Sequence, residues 1–113
     1  MSILDKKQVD GVAYDSENET LLLLITDHLA WDNEYEHLLC LQEKINNYIS
    51  YCETKQYTHI YKQEIIRMAV IDIHFLHKPS KKALDFLQVV QNQIGTLGIK
   101  IKCTIAEDLN EQK

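Results

Sequence analysis

Five consecutive apolar residues, Leu21 to Ile25, constrain the fold of this chain more than any other feature. Side chains alternate between the two faces of a β-strand, so a strand that is apolar at both parities must be covered on both sides. The run is too short for a membrane-spanning helix, which needs about 20 apolar residues. It therefore predicts a central strand over residues 20–27.

Three further strands are predicted around this central strand. Residues 9–14 form a short first strand, joined to the second by the polar turn of residues 15–19. Residues 64–76 form a third strand, and residues 99–105 alternate between apolar and polar or lysine side chains, which is typical of an edge strand. The residues that we expect to face the helices are Ile71, Ile73, Phe75, Ile99 and Ile101.

The first helix begins at Asp32 or Asn33 and runs to about Thr54. Asn33 and Glu36 have the spacing of a capping box. At 100° per residue, its inward-facing stripe comprises Trp31, Leu38, Leu41, Ile45, Ile49 and Cys52, together with Gln42. Gln42 and Asn46 lie one turn apart, and they either tie the helix to neighbouring backbone or line a binding cleft.

The second helix begins at Pro79 or Ser80 and ends at Gly98, which has the character of a C-terminal cap. Right-handed crossovers along a 1-2-3-4 strand order place both helices on the same side of the sheet. We therefore expect a two-layer α+β sandwich with ββαβαβ order and a four-stranded mixed sheet. Residues 1–106 would form this single domain, and residues 107–113 a frayed polar tail.

Two helices on one side leave the opposite face of the sheet without cover. A monomer rarely exposes a contiguous apolar patch larger than a few hundred Å². Either residues 55–63 fold across this patch, or a second chain covers it, or the strand assignment is wrong. The tyrosines in or just after the first helix either pack at the margin of the core or contribute to an interface, where tyrosine is enriched. They are Tyr35, Tyr48, Tyr51, Tyr57 and Tyr61. The predicted binding residues are Leu22, Leu24, Ile66, Met68, Val70, Tyr57 and Tyr61.

Charge and cysteine content restrict the kinds of partner and the cellular compartment that we expect for this protein. Twelve Lys and Arg against 17 Asp and Glu give a net charge of −5, which repels phosphates and disfavours nucleic acid. The same balance favours a basic protein partner. The first residues lack the apolar segment of a signal peptide, and the three cysteines are odd in number without a C-x-x-C pair. We therefore expect a cytoplasmic protein without membrane contact or cofactor.

One group of Asp and His residues follows the second predicted strand. Asp27 and His28 end this strand, and Asp32 and His37 lie at the start of the first helix. A carboxylate beside a histidine can orient a general base, so Asp27 and His28 are weak catalytic candidates. In the simpler interpretation, the two aspartates cap the turn and the helix, and both histidines lie on the surface.

A second group lies on the third predicted strand. Asp72 and His74 share one strand face, and His77 follows in the loop. Zinc accepts carboxylate and histidine ligands, so these three residues are weak metal candidates, and Asp72 and His74 are weak catalytic candidates as well. If Asp27 and His74 end neighbouring parallel strands, the two side chains could converge at one edge of the sheet.

Two segments carry a resemblance to a known family. They are D-H-L-A-W-D at residues 27–32 with H-L-L-C-L-Q-E-K-I-N-N-Y at 37–48, and more weakly H-K-P-S-x-x-A-L-x-F-L at 77–87. With these motifs the chain resembles a family of short, uncharacterised bacterial proteins, a domain of unknown function. The resemblance implies a small stand-alone bacterial domain. It implies no activity, so it assigns no site residues.

The sequence thus favours a non-catalytic interaction module that binds a protein partner or forms a homodimer. An immunity-like or inhibitory role, by analogy of size and charge with small acidic immunity proteins, is one form of this hypothesis. The alternative is a small metal-binding or hydrolytic domain that uses the Asp and His residues at the strand ends.

Overall fold

The apolar run of residues 21–25 lies in strand β2 (Thr20–Asp27), one of the two inner strands of a four-stranded sheet. The computed structural model describes Ile3 and residues 8–61 and 65–106. The other strands are β1 (Gly11–Asp15), β3 (Met68–Phe75) and β4 (Ile99–Ile105), and the helices are α1 (Glu34–Glu53) and α2 (Lys81–Ile94). Two 3-10 turns, Gln56–His59 and Gly95–Leu97, follow the helices. The predicted ββαβαβ order and the α+β class are confirmed.

The strands lie side by side in the order β1-β2-β3-β4. β1 is antiparallel to β2, whereas β2, β3 and β4 are parallel. Each parallel pair is joined by one helix, and both helices pack on the same side of the sheet, as the handedness of such crossovers requires. Within the described part of the chain, no helix has the length and apolar character needed to cross a membrane.

The core fills the space between the sheet and the helices. From the sheet it takes the side chains of one parity only, since successive residues point to opposite faces. These residues are Leu21, Leu23, Ile25, Ala69, Ile71, Ile73, Phe75 and Ile99. The prediction for the five helix-facing residues is confirmed, with Ile101 half-buried against the same cluster.

The buried side of α1 is rotated from the predicted stripe. Gln42 is exposed and Leu38 is only half-buried. The buried residues of the helix are His37, Leu41, Lys44, Ile45 and Tyr48. Three of these five carry polar tips, which an apolar-periodicity rule assigns to the surface. They are buried because each tip finds a hydrogen-bond partner inside the fold.

The start of α1 also differs from the prediction. The helix begins at Glu34, and Asn33 occupies the capping position without a hydrogen bond from its side chain. The capping box expected from Asn33 and Glu36 is therefore not formed. The carboxylates of Glu34 and Glu36 still lie in the first turn, where they favour the positive end of the helix dipole.

The second helix is shorter than predicted at both ends. Ser80 is the capping residue, and its Oγ accepts a hydrogen bond from the backbone N–H of Ala83 at 3.2 Å. Pro79 therefore precedes the helix. The helix ends at Ile94, and a 3-10 turn separates it from Gly98, which has a φ of 76° and leads into β4.

The starts of β1 and β3 differ from the predicted strand bounds. β1 begins at Gly11 rather than at Val9. β3 begins at Met68, and the predicted start at residue 64 lies outside the described residues, as do residues 62–63 of the predicted connection and the predicted tail 107–113. Ile66 thus precedes the strand and packs against the core on the helix side, together with the half-buried Tyr57 and Tyr61.

Candidate functional site

The face of the sheet opposite the helices has an apolar centre. No described helix or loop packs on it, because both helices and the connection after α1 lie on the other side. Leu22 and Met68 are 38% and 43% exposed, and Leu24 and Val70 are half-buried. We call these four residues the apolar centre and this side of the sheet the open face.

Strand pairing brings these four residues together. Leu22 lies beside Val70 across the β2–β3 pair. Met68 lies two residues before Val70, on the same face of β3. On its other side Leu22 pairs with Ala13, whose small exposed side chain extends the patch to β1. Four of the seven predicted binding residues therefore form one contiguous surface.

The other three predicted binding residues lie on the helix side. Ile66 lines a small cavity together with Leu21. The ring of Tyr57 is 6.4 Å from that of Tyr51, and the ring of Tyr61 is 5.8 Å from that of Tyr14. The described part of the connection after α1 therefore packs beside the helix, so it leaves the open face uncovered.

Charged side chains flank the apolar centre on both sides. Lys100 and Lys102 pair with Val70 and Asp72 in the register of β3 and β4, so they share the open face. We call these two residues the lysine edge. On the β1 side, the turn that joins β1 to β2 begins at Asp15 and carries two further carboxylates. The acidic turn consists of Asp15, Glu17 and Glu19.

The Asp72 and His74 pair lies on the open face above the apolar centre. His74 Nε2 is 3.0 Å from Oδ2 of Asp72, and the other oxygen accepts a hydrogen bond from Thr104 Oγ1 at 3.1 Å. His77 is exposed in the loop that follows β3. Throughout residues 8–61 and 65–106, no group of three His, Cys, Asp or Glu side chains is placed to hold a metal ion.

Asp27 and His37 meet inside the protein. Nε2 of His37 lies 2.5 Å from Oδ2 of Asp27, and both side chains are almost fully buried. The other carboxylate oxygen of Asp27 accepts a hydrogen bond from the backbone N–H of Leu29. The ring of Trp31 stacks on His37 with a centroid distance of 3.5 Å. The pair therefore joins the end of β2 to the first turn of α1.

This geometry suits a structural role rather than a general base. Both ring nitrogens of His37 are engaged, since Nδ1 lies 3.1 Å from the carbonyl oxygen of Ala30. A general base needs a nitrogen within reach of substrate. His28 and Asp32, the other members of the predicted group, are exposed. The expectation that His37 lies on the surface is wrong.

Asp27 and His74 do not converge. Asp27 pairs with Phe75 and points toward the helices, whereas His74 pairs with Thr26 and points to the open face. A zinc ion binds its ligands at about 2 Å, so two side chains on opposite faces of a sheet cannot share one. A shallow cleft of about 250 Å³ at this edge is lined by Asp27, His28 and His74 among others. Asp27 is only 1% exposed, and its carboxylate is bound by His37.

A second buried polar group ties the start of β1 to α1. Nζ of Lys44 lies 2.9 Å from a carboxylate oxygen of Asp10, and the other oxygen of Asp10 accepts from the backbone N–H of Thr26. Tyr48 donates its hydroxyl hydrogen to the carbonyl oxygen of Leu24, and burial raises the pKa of this tyrosine. Sequence reasoning missed these residues, and the one available signal was the helical spacing of Lys44 and Tyr48.

Gln42 and Asn46 line a groove between the two helices. The groove has a volume of about 240 Å³, and Phe86 and Val90 of α2 form part of its apolar lining. Both amides are exposed, so the interpretation that they line a cleft agrees with their position. A wider cleft of about 520 Å³ lies between β1 and the end of α1.

No curated protein and no solved structure matches the chain. One family model does match, and it covers residues 1–107, which is nearly the whole chain. The resemblance to a domain of unknown function is thereby confirmed. The chain belongs to the family of unknown function DUF6572.

Proposed function

We propose that this protein is a non-catalytic interaction module that binds a protein surface through the open face of its sheet. An immunity-like or inhibitory role is one form of this function. The observation that carries the proposal is the apolar centre, where Leu22 and Met68 are 38% and 43% exposed side by side on a face that the helices do not cover. A contiguous exposed apolar patch of this kind is typical of a binding surface.

The charges of the open face support a protein as the partner. The apolar centre lies between the lysine edge and the acidic turn, so both signs are present within one surface. A nucleic acid would place phosphates against the acidic turn, which is unfavourable. The net charge of −5 favours a basic partner at long range, but the open face itself favours a partner with charges of both signs.

The proposal gives Asp27, His37, Asp72 and His74 a structural role. The side chains of Asp27 and His37 bind each other, and Asp72 is engaged by His74 and Thr104. No specific observation favours the metal-binding or hydrolytic alternative over this role.

We also infer that the protein works in the bacterial cytoplasm. Cys40, Cys52 and Cys103 are all free thiols, which suits a reducing compartment. The family resemblance supports the bacterial origin.

Site-specific photocrosslinking tests the proposal. A photoreactive amino acid replaces Leu22 on the open face or, as a control, Val89, which is 55% exposed on α2. In cells of the organism that encodes the protein, the probe at position 22 should form a discrete crosslinked species, and the probe at position 89 should not. A second substitution, Met68→Glu, should abolish that species, because it places a charge in the apolar centre. Equal crosslinking from both positions would refute the proposal, as would none from position 22.

A further inference from the structure

The two sides of the open face carry opposite charge. The lysine edge lies on β4, and the acidic turn extends beyond the end of β1, the strand at the opposite edge of the sheet. Glu19 of the acidic turn forms an ion pair with Arg67 at 2.9 Å, which leaves the carboxylates of Asp15 and Glu17 as the excess charge. The face is therefore apolar in the middle, positive on one side and negative on the other.

We infer that the partner of the open face is a second copy of this chain, packed face to face about a two-fold axis that runs parallel to the strands. This inference rests on the proposed function, because it names the partner of the same face. A two-fold axis in this direction exchanges the two sides of the sheet. It places the lysine edge of each copy over the β1 side of the other, next to the acidic turn.

The strand register fits this arrangement. Leu22 and Val70 lie at the same level on neighbouring strands. An axis between β2 and β3 places Leu22 of one copy on Val70 of the other, and Val70 of the first copy on Leu22 of the second. The contact is therefore isologous, with the same pair formed twice. Two sheets packed in this way lie about 10 Å apart with nearly aligned strands.

The charges select this axis over the alternative. A two-fold axis perpendicular to the strands would keep the strand order, so that β4 of one copy would lie over β4 of the other. The lysine edges would then face each other, and like charges across an interface repel. Only the axis parallel to the strands pairs unlike charges on both sides of the apolar centre.

Asp72 also lies on the surface that would be buried. It pairs with Leu24 on β2 and with Lys102 on β4. A carboxylate that leaves water without partners carries a large free-energy cost. Here the two oxygens of Asp72 are already engaged by Thr104 and His74, so the cost of its burial is reduced.

The size of the face sets the expected affinity. Four strands spaced about 4.8 Å apart make a surface roughly 15–20 Å wide, and strands of 5 to 8 residues make it roughly 17–26 Å long. The resulting area, roughly 250–500 Å² per copy, is smaller than the about 800 Å² per partner of a stable interface. We therefore expect a weak dimer, with a dissociation constant on the order of micromolar or above.

Sedimentation equilibrium of the full chain, from micromolar to millimolar concentration, measures this association. The wild-type protein should pass from monomer to dimer over that range. Leu22→Glu should weaken the dimer by about thirtyfold or more, because it places a charge in the apolar centre. Val89→Glu adds the same charge on α2 and should leave the dimer unchanged, with circular dichroism confirming that both variants are folded.

Charge reversal then tests the orientation. Lys100→Glu and Glu17→Lys should each weaken self-association by about tenfold. In a dimer of either variant, residue 100 of one copy and residue 17 in the acidic turn of the other would carry charges of the same sign. An equimolar mixture of the two variants should restore association, since both salt contacts of the mixed dimer then join unlike charges. Other face-to-face orientations do not predict this recovery.

Each remaining outcome overturns the inference. A protein that stays monomeric at millimolar concentration contradicts the second-copy assignment, and the proposed function survives if the probe at position 22 still crosslinks in cells. A dimer that tolerates Leu22→Glu uses a different surface, which contradicts the second-copy assignment. A dimer that Leu22→Glu disrupts, but whose charge variants fail to recover on mixing, contradicts the axis parallel to the strands.

Discussion

A hydrogen bond between His37 and Asp27 joins the start of α1 to the end of β2, with 2.5 Å between Nε2 and Oδ2. The opposite ring nitrogen faces the carbonyl oxygen of Ala30, which can only accept, so Nδ1 carries a hydrogen. The pair thus holds the loop between strand and helix from both sides of one imidazole ring.

We expect His37→Ala to lower the free energy of unfolding by about 3 kcal/mol or more, because it leaves the carboxylate of Asp27 buried without its main partner. Asp27→Ala should have a similar effect for the converse reason. Urea unfolding followed by circular dichroism measures both. His28→Ala is the control, because His28 is exposed, and it should change the stability by less than about 0.5 kcal/mol.

The double variant separates a pair from two independent residues. If Asp27 and His37 act on each other, the double alanine variant should lose less stability than the sum of the two single losses, by about 1–3 kcal/mol. Additive losses would contradict a direct energetic coupling between the two side chains.

The ion pair between Lys44 and Asp10 should matter far more than the one between Arg67 and Glu19. The first is fully buried, whereas the side chain of Arg67 is 73% exposed. Lys44→Met should cost about 3 kcal/mol, because the carboxylate of Asp10 stays buried. Arg67→Met should cost less than about 1 kcal/mol. Thermal and urea unfolding of the two variants measure the difference, and equal losses would contradict the ranking.

Gly98 and Gly95 are close in sequence but should respond differently to alanine. Gly98 has a φ of 76°, a conformation that residues with a Cβ atom rarely adopt, so Gly98→Ala should destabilise the protein by about 1–2 kcal/mol. Gly95 has a φ of −58°, and a Cβ there would meet Gln91 Nε2 at an ordinary 3.6 Å. Gly95→Ala should therefore be neutral or stabilising by up to about 1 kcal/mol, as melting temperatures will show.

Cys52 should react slowly with alkylating reagents in the folded protein. Burial raises the pKa of its thiol to about 11, with a smaller contribution from the charge of Glu53. The thiolate is the reactive form, so at pH 8 alkylation should be about a hundredfold slower than in the unfolded chain. The rate should rise about tenfold per pH unit toward pH 11. Peptide mass spectrometry after timed iodoacetamide labelling measures each cysteine separately, and equal native and denatured rates would contradict this.

Periodicity predicted the sheet well because its strands have simple environments. The run of Leu21 to Ile25 and the alternation around Ile71 and Ile99 each identify a strand, and the strand-to-helix order determines that the helices share one side. The same reasoning located Leu22 and Val70 on the open face. These features depend on the local sequence pattern and on the handedness of the crossovers, so they can be predicted from one sequence.

The buried polar residues could not be predicted in the same way. His37, Lys44 and Tyr48 occupy the inner side of α1 because Asp27, Asp10 and the carbonyl of Leu24 receive their polar tips. Their partners lie between 10 and 34 residues away along the chain, so no local sequence pattern predicts these contacts. Ile66 was misplaced for a related reason, since β3 begins two residues later, at Met68, and alternation does not apply before that point.

The parallel pairing of the two inner strands has a consequence for the order of folding. Thr20 pairs with Met68, so 48 positions separate the two residues, whereas Asp15 and Thr20 close the β1–β2 hairpin over five. Contacts across long stretches of chain carry a larger loop-closure entropy and form more slowly. We therefore expect the hairpin to be an early event in refolding, and the docking of β3 beside it to limit the rate.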